Sequence, residues 1–102
     1  MGFPTEEIKA KLETLNAEER KLHDEAILQA SVVVSDLYIY NKEMMDEIVA
    51  KDKKALLIGI LKSKGVIPTY QNRVPKGVDK ESMMSYFKTA VNEIIGKGKK
   101  IF

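Results

Sequence analysis

The chain has 102 residues, 44% of them hydrophobic and 31% charged, with no cysteine and a formal net charge of +2. That size suits one core and is too small for two, so a single domain over 1–102 is expected. The missing cysteine excludes disulfides, thiolate nucleophiles and cysteine-ligated zinc or iron–sulfur sites.

Acidic Glu6 and Glu7 stand where a signal peptide needs a basic region. No run reaches the roughly 18 apolar residues of a membrane span, so a cytoplasmic protein with no membrane partner is expected. The small net charge hides an asymmetry. Residues 1–50 carry five basic and eleven acidic side chains, net −6, whereas residues 51–102 carry twelve basic and four acidic, net +8. Such a division implies a basic binding face, halves that attract each other on folding, or head-to-tail association.

Taken in chain order, the first expected helix is short, over 4–15. Pro4 suits a first helical position, Glu6 and Glu7 suit the positive helix end, and Ile8, Leu12 and Leu15 share a face. Asn16 is placed to cap the next helix, with Glu19 three residues on in a capping-box pattern.

The second helix, over 17–51, is long and organises the chain. Leu22, Ala26, Ala30, Val33, Leu37, Tyr40, Met44 and Ile48 recur at spacings of three and four, an amphipathic stripe. Ile27, Val34 and Met45 flank it, and Leu28, Val32 and Ile39 widen it, so the centre is expected to be buried on more than one side. The β-branched and aromatic run from Ser31 to Tyr40 also suits a strand. Helix formers on both flanks and the absence of a turn residue favour the helix. One straight helix here would extend roughly 50 Å, far beyond a compact domain whose radius of gyration is about 13 Å. The helix therefore breaks, with Asn41 the expected place, or a second copy covers its overhang; a homodimer is the favoured reading.

His23 is the only histidine, so one chain assembles neither a Ser-His-Asp triad nor a two-histidine metal site. Arg20 occupies the position that a Glu-x-x-His metal pair would need. A solvated histidine beside Glu19 and Asp24 is expected. Asp46 and Glu47, like Glu18 and Glu19, are adjacent and diverge on a helix. Asp36, inside the apolar centre, is expected to face water or to meet a lysine of the basic half.

Ala55, Leu56, Leu57, Ile58, Ile60 and Leu61 define a third, short helix over 53–64, with Asp52 as cap, Gly65 as terminator and Pro68 beyond. Gly59 in its middle costs about 1 kcal/mol relative to Ala and is read as the mark of a close helix crossing. Residues 65–78 then read as a long loop. Tyr70, Gln71, Asn72, Arg73 and Lys76, set among prolines, are the candidate partner-binding residues; the alternative makes Tyr70 a lid on the core. A medium helix over 80–95 starts at Asp79, carries Met83, Met84, Phe87, Ala90, Val91, Ile94 and Ile95 on one side, and stops at Gly96. A basic tail follows, solvated or in contact with phosphate.

The expected fold is thus an all-α bundle of about four helices. No catalytic constellation, cofactor motif or metal set is present in the pattern; Gly96-Lys97-Gly98-Lys99 follows a helix and lacks the spacing of a phosphate loop. The leading functional expectation is a non-catalytic interaction or regulatory protein that binds a protein partner through 66–78 and its basic half. The alternative is nucleic-acid binding, with Lys53, Lys54, Lys62, Lys64, Lys97, Lys99 and Lys100 as candidate phosphate contacts. A single arginine in that half and a joining segment too long for a helix-turn-helix weigh against it. A further alternative is a small anionic ligand held by lysines with Tyr38, Tyr40, Tyr70 and Tyr86.

Overall fold

The computed structural model describes residues 3–102. Those residues form six α-helices and a closing π-helical turn, with no strand among them: α1 (Glu6–Leu12), α2 (Ala17–Tyr40), α3 (Lys42–Ala50), α4 (Lys54–Ser63), α5 (Val66–Arg73), α6 (Lys80–Ala90) and the π turn (Val91–Ile95). The all-helical class is as expected, but the helix count is six rather than four.

Both extra helices have local causes. The long second helix divides at Asn41, where φ is −133° and ψ is 32°. The Asn41 N–H bonds to Tyr38 O at 3.2 Å, and its side-chain Nδ2 donates to Leu37 O at 2.9 Å, the carbonyl that a continuing helix would offer to the Asn41 backbone. The side chain replaces the ladder and the axis breaks. The molecule accordingly measures 41 × 26 × 20 Å, with a radius of gyration of 13.5 Å.

The expected 65–78 loop is the larger correction, because residues 66–73 are helix α5. Gly65 adopts a left-handed conformation (φ 61°) that ends α4 and also begins the next helix, its carbonyl accepting both the Thr69 N–H (3.1 Å) and the Thr69 hydroxyl (2.8 Å). Pro68 is the third residue of α5, within the first turn, where a helical N–H has no partner to lose. It therefore starts a helix here instead of preventing one. Pro75 forces extended backbone on Val74 (ψ 132°) and closes α5.

The other ends follow side-chain caps. Thr5 accepts from Ile8 N, Asn16 from Glu19 N at 2.8 Å and Asp79 from Ser82 N at 2.9 Å. Asp52 does not cap α4; it sits at φ 55° and Lys53 holds the N-cap position without a side-chain bond. Beyond α6 the Gly96 N–H reaches Val91 O, five residues back, at 3.0 Å, which is the π-helical bond. A Cβ at Gly96 would lie 2.6 Å from the carbonyls of Asn92 and Lys99, so the turn accepts only glycine.

The core lies between α2 and the α5–α6 layer. Ala26, Ala30 and Val34 on α2 are fully buried, as are Tyr70, Tyr86, Ala90 and Val91 opposite them, and Met45 and Leu57 continue the cluster through α3 and α4. Two alanines on the central face let aromatic rings from α5 and α6 approach its backbone. Gly59 marks no crossing: a Cβ there would meet nothing within 4 Å. The widened face of α2 is not covered by this chain either. Leu28, Val32 and Ile39 are 53%, 37% and 67% exposed.

Candidate functional site: the groove between α2 and α5

Folding residues 66–73 into a helix changes what they present. Tyr70 turns inward and is fully buried; its ring centroid is 5.5 Å from that of Phe87 and its hydroxyl donates to Met83 O at 2.8 Å. Burial pushes its hydroxyl far above the ordinary tyrosine range, with Tyr86 adding to the effect. Tyr70 is therefore a core residue, and Gln71 is half-buried. Asn72 and Arg73 remain exposed at the end of α5, and Lys76 is exposed beyond it.

Arg73 borders an open groove of about 370 Å³ between α2 and α5. Its floor is apolar, made by Val33, Leu37 and Val66. Lys64, Thr69 and Arg73 form one wall, and Asp36, Tyr40 and Asn41 the other. Asp36 is exposed and forms no ion pair among the described residues, so of its two expected placements it takes water rather than a lysine of the basic half, and Tyr40 is 83% exposed at the lip. Sequence reading assigned Arg73 and Lys64 to different candidate surfaces; the turn at Gly65 brings them to one. Sequence placed Tyr40 both in the core stripe of α2 and among the anion-pocket tyrosines; it stands at the end of α2, beyond the last buried position, Leu37, and is exposed rather than part of the core.

The remaining candidate phosphate lysines are dispersed. Lys97 lies 3.8 Å from Asp46 and 5.8 Å from the centre of the Tyr38 ring. Tyr38 and then Asp46 hold its ammonium above the usual lysine range. Tyr38 itself donates to Asp46 at 2.7 Å. Lys99 donates to Val49 O at 3.4 Å and lies 3.9 Å from Asp52, and Lys54 sits 5.2 Å over the Phe102 ring. The contacts of Lys97 with Asp46 and of Lys99 with Val49 O join the basic C-terminal segment to the acidic α2–α3 region, and the Lys97–Asp46 pair uses part of the charge asymmetry within the fold. Lys53, Lys62 and Lys100 are exposed. Nor is the tail loose: the Asn92 side chain accepts from the N–H groups of Ile101 (2.8 Å) and Phe102 (2.9 Å).

A second polar cluster is internal. His23 is 5% exposed, contrary to the solvated position expected for it, because Tyr86 of α6 packs edge-on against it, ring centroids 5.7 Å apart. Its Nδ1 and the Tyr86 hydroxyl share a hydrogen bond at 2.5 Å, and its Nε2 lies 4.0 Å from Asp79 Oδ1. Lys11 Nζ donates to Ser82 Oγ at 3.0 Å and lies 5.8 Å from the Tyr86 ring centre. Burial raises the Tyr86 hydroxyl above the ordinary tyrosine range, whereas the Ser82 N–H holds the Asp79 carboxyl below the usual carboxylate range. Each buried polar side-chain atom among the described residues has a partner. The cluster ties α1, α2 and α6 together. Of the four tyrosines in the anion-pocket reading, only Tyr40 borders the groove.

Among the described residues no group of three or more His, Asp or Glu side chains is placed to hold a metal ion, and no helix is long and apolar enough to cross a membrane. No family model, curated protein or solved structure matches this chain.

Proposed function

We propose that this chain is a non-catalytic interaction protein whose α2–α5 groove receives an amphipathic segment of a protein partner, apolar on one side and acidic at one end. The observation that carries the reading is Tyr40, 83% exposed at the lip of a groove that Arg73 borders on the other side. Tyrosine and arginine are the residue types that supply most binding energy at protein interfaces. The apolar floor takes the partner's anchoring side chain, Arg73 and Lys64 take its carboxylate, and Asp36 disfavours the reverse orientation. A reducing, cytoplasmic setting suits the cysteine-free chain.

The test is selection of a displayed peptide library on the immobilised protein, followed by anisotropy titration of the enriched peptides. The expected peptides are helical and acidic at one end. Their affinity falls at least about tenfold with Arg73→Ala and with Tyr40→Ala, while circular dichroism and melting stay unchanged because both side chains are exposed. Peptides that bind these variants as well as the parent would sink the proposal. A labelled mixed-sequence duplex, titrated at low and near-physiological salt, is the control for the nucleic-acid alternative. Micromolar, steeply salt-dependent binding would favour that alternative.

A further inference from the structure

On the side of α2 opposite the core, Glu25, Leu28, Val32, Ser35, Ile39 and Lys42 follow one another at spacings of three, four, three, four and three. That is the alternation of a coiled-coil seam. Its apolar members Leu28, Val32 and Ile39 are the exposed residues noted above, Ser35 is half-buried, and Glu25 and Lys42 at its ends are exposed. Lys42 follows the break at Asn41, but the buried side keeps its phase across the break, since Met45 and Ile48 are buried like Ile27 and Val34. Lys42 therefore stays on the solvent side with the seam.

We infer that a second copy of this chain covers this seam, the two α2 helices lying antiparallel about a two-fold axis between Val33 and Val34. The seam is complementary to its own reverse. In that arrangement residue numbers facing each other sum to 67: Glu25 meets the partner's Lys42, Leu28 meets the partner's Ile39, and Val32 meets the partner's Ser35. Each contact occurs twice, as a two-fold interface requires. The two flanking rows pair at sums of about two below and two above that of the seam, Gln29 opposite Asp36 and Ser31 opposite Tyr38, pairs without like charges. A parallel pair would instead set Glu25 against Glu25 and Lys42 against Lys42, which like-charge repulsion disfavours. The helical part of the seam, Glu25 to Tyr40, is only about 24 Å long. The area it buries is small beside the roughly 1,200–2,000 Å² of stable complexes, so association is reversible and of the micromolar order. The α2–α5 groove lies beside the seam, and the inference does not depend on what the groove binds.

The test is sedimentation equilibrium from about 5 to about 500 µM, a range chosen for that weak interface. A monomer–dimer equilibrium is expected, weakened at least about tenfold by Ile39→Lys, which introduces two buried charges per dimer. Glu25→Lys alone and Lys42→Glu alone weaken it, and the two together restore it, because the swap preserves only the antiparallel pairs. The chain has no cysteine of its own. Oxidation should cross-link Leu28→Cys/Ile39→Cys between copies and leave Leu28→Cys alone uncross-linked, since residues 28 and 39 are about 16 Å apart within one helix. A monomer at every concentration, no recovery in the charge swap, or cross-linking of Leu28→Cys alone would each overturn the inference. Circular dichroism confirms that each variant is folded.

Discussion

Replacing Tyr70 separates the two readings of residues 65–78. A binding loop would lose almost no stability on Tyr70→Ala, whereas a buried helix residue would lose much of it. Tyr70 is fully buried, packs on Phe87 with a centroid separation of 5.5 Å and donates one hydrogen bond, to Met83 O at 2.8 Å. Tyr70→Phe removes that bond alone. Met83 lies inside α6, where its carbonyl also belongs to the helical ladder, so the expected cost is about 1 kcal/mol. Tyr70→Ala also empties the ring's place in the core, for a total of about 3–5 kcal/mol. Against the roughly 5–15 kcal/mol of a typical domain, the second variant is severely weakened. Urea titration followed by far-UV circular dichroism measures both. The midpoint should fall in the order parent, Tyr70→Phe, Tyr70→Ala, with little change in slope. An alanine variant within about 1 kcal/mol of the parent would refute the buried placement of α5.

Gly59→Ala should raise stability by about 0.5–1 kcal/mol, because the position is mid-helix with open space around it; a loss in the same titration would indicate a helix crossing after all. For Asp79 the folded-state pKa is lowered, chiefly by the Ser82 N–H, so its contribution is present above the ordinary aspartate value and is lost as pH falls through the folded one. Asp79→Asn caps comparably at neutral pH, and the parent's advantage over it should vanish on acidification; an advantage that persists at low pH would contradict the assignment. Tyr70 and Tyr86 have the opposite sign. Their raised folded-state values give stability that is complete below about pH 10 and is lost as pH rises through those values. Tyr70→Phe should therefore flatten alkaline unfolding followed by tyrosinate absorbance, and an unchanged profile would count against it. In the His23–Tyr86 pair, His23→Phe removes one hydrogen-bond partner of a buried hydroxyl, at about 1 kcal/mol or more. Adding Tyr86→Phe should recover part of that loss, whereas strict additivity would show that the two groups are uncoupled.

Local patterns were enough for the helical class and for the caps at Asn16 and Asp79, since each depends on a few neighbouring residues and their backbone bonds; the break at Asn41 was one of two alternatives that helix length left open. The core side of α2 was legible from Ala26 to Leu37 in the same local way, whereas Tyr40 and Met44, read into the same stripe, are exposed. By contrast, α5 was hidden because Gly65 and Pro68 signal a stop in isolation. Only when the Gly65 carbonyl accepts from Thr69 does Pro68 become a first-turn residue. His23 was read as outward because its neighbours in sequence are polar, and Tyr70 was left between a binding residue and a lid on the core, but burial is decided by what packs from elsewhere. Tyr86 is 63 residues from His23, and Met83 is 13 from Tyr70.

The candidate groove shows the same division. Arg73, Lys64 and Tyr40 were recognisable as interface residue types, yet their meeting depends on the angle at Gly65 and on the packing of α5 against α2. The pairing of Lys97 with Asp46 and of Lys99 with Asp52 likewise requires the tail to fold back over α3. The sequence by itself determined helix propensity, caps and the charge division, because these are properties of short segments. Tertiary structure decided which tyrosines and lysines face water, because burial and ion pairing depend on segments distant in the chain.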